Sequence, residues 1–158
     1  MGASRAHKMH RKVVPVLVSV LVSSLVFAGA GTSPVDPWTA ASNLVFRATI
    51  DQFADESGSP DHDPRLDWSS DGCSAPVLGS TGRSFDFTLP CRRHDFAYRN
   101  LGRMQGGRRW TPSLRNRVDR RFLSDMNTHC SGRPRIDRGP CRAWANLYFR
   151  VVRGVSGP

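Results

Sequence analysis

Four cysteines, at positions 73, 91, 130 and 141, constrain this chain more than any other feature. All four follow an apolar leader, and none lies within it. An even cysteine count in an exported chain reads as two disulfides, which let a small domain hold together around a modest core. Cys73–Cys91 and Cys130–Cys141 are the favoured pairs, because each closes a short loop. A zinc site is the weaker reading: no C-x-x-C pair is present, and the histidines lack ligand spacing.

The leader sets the redox setting. Arg5, Lys8, Arg11 and Lys12 form a basic start, Val13 to Phe27 is an apolar run, and Ala28-Gly29-Ala30 has the small-residue pattern of a cleavage site. This layout predicts a secretory signal peptide over residues 1–30, cut after Ala30, and an extracellular product. Pro15, Ser19, Ser23 and Ser24 interrupt the run. It is short against the roughly 20 apolar residues of a membrane span, which argues against a retained anchor. Residues 31–158 are then enough for one domain and not for two ordinary cores.

Four of the 23 basic residues lie in the leader, leaving 19 against 13 acidic ones and a balance of +6 for residues 31–158. All 19 are arginine. A basic exported domain is drawn to anionic surfaces, whether membrane, nucleic acid or cell-wall polymer, and charge alone does not choose among them.

The apolar pattern is mostly helical. Trp38, Ala41, Leu44, Val45, Ala48 and Phe53 recur at helical spacing and predict a single first helix. Residues 55–65, "DESGSPDHDPR", read as a surface loop. Asp61, His62 and Asp63 fall in that loop beside two prolines, which favours solvation over metal binding. Leu66 to Leu89 is irregular, with "RSFDFTL" as a short strand or extended piece. Cys91 to Leu101 is helix-compatible, and Gly102 to Trp110 is a glycine- and arginine-rich connection. Thr111-Pro112 supplies an N-cap and a first-turn proline for the next helix. Leu114, Val118, Phe122 and Met126 make its i, i+4 stripe. Gly132 to Pro140 reads as a loop. Cys141 to Val152 puts Trp144, Leu147, Tyr148 and Val151 on one face of a last helix. The expected fold is mainly α, a small domain with two disulfides.

The chemistry concentrates in "CRRHDFAYRN". On a helix Cys91, His94 and Tyr98 share a face, while Asp95 lies about 100° around the axis. Adjacent helical residues do not face each other, so His94 and Asp95 suit two tasks at one site. A histidine titrates near neutrality and serves as a base. It needs a carboxylate behind it to fix its tautomer. Asp119 and Asp125 both border the apolar stripe, and periodicity does not separate them. Asp95 is suited to a hard cation with oxygen ligands. A Cys73–Cys91 bond would bring Asp71 and the bendable Gly72 of "WSSDGCSAP" towards it.

The run Cys-x-x-His-Asp-x-x-Tyr resembles the active-site helix of secreted phospholipase A2. "DWSSDGC", "PCRRHDFAYRN", "RVDRRFLSDM" and two further cysteines follow the order of the small bacterial and fungal branch, over about Leu66 to Val152. The resemblance implies two long antiparallel core helices carrying the site. It implies His94 as general base, Asp119 as the aspartate that orients it, and Tyr98 as a supporting residue. It also implies one calcium ion held by Asp95, Asp71 and the Gly72 carbonyl. Asp125 becomes structural by the same comparison. Gly72 departs from the pattern, since a larger apolar residue is expected there. The implied reaction is hydrolysis of the sn-2 ester of a glycerophospholipid, giving a fatty acid and a lysophospholipid. The implied partner is a phospholipid membrane or micelle surface, met by a monomer, with no nucleic acid. Arg103, Arg108, Arg109 and Trp110 are the expected membrane contacts. No G-x-S-x-G is present for a serine hydrolase. The competing class is a non-catalytic cationic membrane-binding protein on the same fold.

Overall fold

The computed structural model describes residue 2, residues 35–72 and residues 85–155. The rest of the expected leader, its cleavage point after Ala30, and Cys73 lie outside the described residues. Among the described residues there are five α-helices: α1 (Pro37–Phe46), α2 (Ile50–Gly58), α3 (Thr88–Leu101), α4 (Pro112–Ser131) and α5 (Arg135–Val155). There is no strand among the described residues, and Phe85 to Phe87 are irregular. None of the described helices is long and apolar enough to cross a membrane.

Helix α4 forms where the pattern places it. The Thr111 side chain accepts from the Leu114 amide at 3.1 Å, and Pro112 opens the first turn. Its stripe of Leu114, Val118, Phe122 and Met126 is wholly buried. Each such side chain contributes about 1.5–3 kcal/mol of burial. Contacts between α3 and α4 run in reverse order: Arg93 meets Asp125, while Tyr98 meets Asp119 and Arg115. The two helices are therefore antiparallel. Two apolar clusters flank this pair. One joins Phe122 and Met126 to Phe87, Cys130, Cys141, Ala145 and Tyr148, and the other joins Val118 and Leu114 to Phe53, Phe96, Ala41 and Val45.

Four expectations are corrected. The first helix is two: α1 ends at Phe46, and α2 starts behind a capping box in which Thr49 and Gln52 exchange hydrogen bonds. That T-x-x-Q signal satisfies the orphan amides of a new helix and ends the old one. Helix α2 runs to Gly58, so the predicted loop over residues 55–65 begins about one turn later. The last helix starts at Arg135 instead of Cys141 and carries through Pro140. The residue after that proline, Cys141, is fully buried and bonded to Cys130, which anchors the turn. On α5, Ala145 and Tyr148 are buried while Leu147 stays 37% exposed, so the buried face is rotated from the expected one.

Cys130 and Cys141 pair as expected, 11 residues apart in sequence with Cα atoms 5.5 Å apart. Cys91 is also disulfide-bonded. In the loop from Gly58 to Leu66, Asp63 is held by Arg65 at 2.6 Å, and His62 packs against Trp68 and bonds to the Ser59 carbonyl. Asp61, His62 and Asp63 thus do not converge on a metal; local partners occupy the latter two.

Candidate active site

Helix α3 presents adjacent residues in two directions, as helical geometry requires. His94 points at α4, where its Nε2 lies 3.0 Å from Asp119 Oδ1. The Tyr98 hydroxyl donates to the same oxygen at 2.8 Å. The imidazole is held between the Tyr98 and Phe122 rings, with centroids at 4.5 and 4.8 Å. Both acid and imidazole are nearly dry: their side chains are 2% and 9% exposed. Burial pushes the Asp119 carboxyl up, but the hydrogen bonds from His94 and Tyr98 outweigh it and hold the group below its ordinary range. Burial pushes the Tyr98 phenol up, so it remains a proton donor. The nitrogen of His94 outside this contact is Nδ1.

The two aspartates that periodicity left open separate by partner. Asp125 does not face His94. It takes Arg93 in a two-point contact, Nε at 2.8 Å and Nη2 on the other oxygen, and Arg121 approaches at 3.3 Å. Arg93 is 1% exposed and also donates to the Ala48 and Thr49 carbonyls at 2.9 and 3.1 Å.

Asp95 faces the segment before Cys73. Its Oδ2 accepts from the Ser70 hydroxyl at 2.6 Å and from the Gly72 amide at 3.1 Å. Gly72 therefore meets Asp95 through its N–H. Its φ of 70° is a left-handed value that glycine adopts without strain. The Asp71 carboxyl comes close enough to Asp95 to share a hydrogen bond with it, while Arg99 holds Asp71 from the other side at 3.3 Å. Burial pushes the Asp95 carboxyl up, the Ser70 hydroxyl opposes this, and the facing Asp71 pushes it up again. Two carboxyl groups turned on each other favour a shared cation, since like charges at that range resist joint ionisation. Among the described residues no three His, Cys, Asp or Glu side chains form a metal cage. The Asp71–Asp95 pair fits a hard ion whose other ligands are backbone and water oxygens, as calcium accepts.

The connection after α3 lies beside the dyad. It contains a short 3-10 turn, Met104–Gly107, in which Gln105, Gly106 and Gly107 all have positive φ. Arg103, Arg108 and Arg109 are exposed. Arg109 stacks over Trp38 at 4.7 Å. Trp110 is half-buried, with its ring edge-to-face on Tyr98 at 4.8 Å, so it walls the dyad instead of standing free in solvent. Gly102 lets the chain turn closely here: a Cβ there would lie 2.3 Å from the Tyr98 carbonyl oxygen.

Sequence reasoning missed Ser70, Arg99 and Arg115 as members of this constellation. Ser70 and Arg99 flank quoted motif residues, and "SSDGC" with "HDFAYR" held the signal. Arg115 had none, because its partner Tyr98 is reached only across the helix pair.

The sequence is similar to known proteins. The family model described as prokaryotic phospholipase A2 matches residues 41–156. A secretory phospholipase A2 of Arthroderma benhamiae is 33% identical over 144 residues, covering 87% of this chain and 92% of that protein. Another secretory phospholipase A2, from Beauveria bassiana, is 32% identical over 134 residues, covering 81% of this chain and 65% of that protein. With the matched region spanning every helix that carries the site, the chain belongs to the prokaryotic phospholipase A2 family.

Proposed function

We propose that this chain is a secreted, calcium-dependent phospholipase A2 that cleaves the sn-2 ester of glycerophospholipids. The observation that carries the reading is a pair of neighbours on α3 aimed in two directions: His94 backed by Asp119 at 3.0 Å, and Asp95 facing Asp71.

His94 Nδ1 takes a proton from water, and that water attacks the ester carbonyl. Asp119 holds the imidazole in the tautomer with a proton on Nε2 and balances the imidazolium as it forms. The leaving lysophospholipid oxygen then recovers a proton from Nδ1, and the fatty acid departs. Asp71, Asp95 and the Gly72 carbonyl would hold the calcium ion. When bound, it would supply polarisation of the ester carbonyl and offset negative charge in the transition state. No side chain forms a covalent bond to substrate in this scheme.

Residues 1–30 act as the secretion signal, cleaved after Ala30, and residues 31–158 act as a monomer. This agrees with the word "secretory" in the names of both relatives. Exposed Arg103, Arg108 and Arg109, beside Trp110, draw the protein to an anionic phospholipid surface. An arginine near such a surface contributes about 1 kcal/mol, which fades beyond a Debye length.

The test is hydrolysis of phosphatidylcholine vesicles with calcium or with chelator, using the wild type, His94→Ala and Asp95→Asn. Release of fatty acid from the sn-2 position is expected only in the wild type with calcium. His94→Ala should lower the rate roughly 10²- to 10⁴-fold. Full activity in chelator, or unchanged calcium affinity of Asp95→Asn by calorimetry, would overturn the metal assignment.

A further inference from the structure

One cation at the dyad has no part in the scheme above. Arg115 sits four residues before Asp119 on α4 and is half-buried. Its Nε donates to the Tyr98 phenol oxygen at 3.3 Å, that phenol donates to Asp119 Oδ1 at 2.8 Å, and His94 Nε2 meets the same oxygen at 3.0 Å. A second guanidinium nitrogen, Nη2, donates to the Arg153 carbonyl at 3.3 Å, near the end of α5. We infer that Arg115 is a positioning residue for hydrolysis, acting on His94 through Tyr98 and Asp119. The inference rests on the reading of His94 and Asp119 as base and orienting acid.

The physical argument has three parts. Tyr98 spends its proton on Asp119, so its oxygen is left to accept, and a cationic donor there polarises the O–H and strengthens the next bond in the chain. Arginine is charged at every working pH and offers donors in a rigid fork. One arm meets the phenol and the other the α5 backbone, so the last helix fixes where the fork stands. Finally, His94 and Tyr98 both meet Oδ1 of Asp119, so losing the phenol's orientation frees the carboxylate to turn away from the imidazole. The charge of Arg115 also helps keep the Asp119 carboxyl ionised.

The experiment is a double-mutant cycle on a phospholipid with short acyl chains, kept below its micelle concentration, with saturating calcium. Wild type, Arg115→Gln, Tyr98→Phe and the double variant are compared for kcat and KM, with His94→Ala alongside. Losing one hydrogen bond of this kind corresponds to about a threefold to tenfold fall in rate. Arg115→Gln is expected to lower kcat by that factor with KM within about twofold of wild type. In the Tyr98→Phe background the same change should do nothing further, since its route to Asp119 is gone. Arg115→Lys, which keeps the charge and loses the fork, should fall between, and it carries the cycle if the glutamine variant does not fold. An equal fall in kcat in both backgrounds would make Arg115 a plain link between α4 and α5. A raised KM with unchanged kcat would make it a substrate contact. Unchanged kcat and KM would remove it from the site. Each of these overturns the inference. Undiminished kcat in His94→Ala would instead overturn the reading beneath it.

Discussion

Helices α3 and α4 are joined by two buried contacts of the same outward form, a basic residue of α3 on an aspartate of α4. Arg93 meets Asp125, and His94 meets Asp119. The basic residues are neighbours in sequence, yet the contacts differ in the chemistry of the basic group and in how many acceptors hold it. Arg93 cannot lose its proton, is pinned at four acceptor contacts, and is 1% exposed. His94 carries an imidazole, a side chain that can gain or give up a proton, and keeps one ring nitrogen outside the pair. The lesson is that a carboxylate's role comes from its partner. Asp125 balances a charge that never leaves, and in the proposed reaction Asp119 would balance one that comes and goes.

The comparison breaks most visibly at Asp125. Asp125→Ala leaves the Arg93 guanidinium buried without its counter-ion, and such losses cost about 3–5 kcal/mol. A large fall in the thermal midpoint is expected, while kcat per folded molecule stays close to wild type. A variant that was stable but inactive would erase the distinction drawn here. Asp119→Asn is the converse. It keeps the size of the side chain but releases the imidazole tautomer, and we expect kcat to fall about 30-fold, or about 2 kcal/mol, with the fold intact by circular dichroism.

The pH dependence of stability sharpens the contrast at a smaller scale. Asp119 is held below its ordinary value of 3.8, so in the native state it gives up its proton more readily than in the unfolded chain. It therefore contributes stability above that pH, and the contribution is lost as pH falls through its lower folded value. The part of the stability gap between wild type and Asp119→Asn that comes from this carboxyl should close on acidification below about 4. Denaturant midpoints measured at pH 6, 4 and 2.5 would reveal it, and a gap that widened in acid would contradict the sign.

Much of this was legible in the sequence, and what was not has identifiable causes. Helix α4 could be read because its N-cap, its proline and its four-residue stripe agree. His94 and Tyr98 could be placed on one face for the same reason. The choice between Asp119 and Asp125 could not be made from α4 alone. Both flank the stripe and both are buried, at 1% and 4% exposure, so the deciding fact lies on the other helix. The break between α1 and α2 was obscured because Ala48 and Phe53 continue the apolar spacing across it. The capping box at Thr49 was present in the text, and the periodic signal overrode it. Pro140 misled in the opposite way, as a helix breaker next to a cysteine whose burial and bond keep the helix going.

The joint between α1 and α2 has its own consequence. The Ala48 carbonyl accepts from Arg93 at 2.9 Å and from Arg121 at 2.7 Å, donors that lie 45 and 73 residues along the chain. A joint served from so far away gains these bonds only after α3 and α4 have docked. The first two helices should then assemble last and loosen first, as a separate cooperative unit. Amide hydrogen exchange would reveal it as faster, uniform exchange through α1 and α2 than through α4. In Asp125→Ala the difference should grow, because freeing Arg93 unlatches the Ala48 and Thr49 carbonyls that it holds.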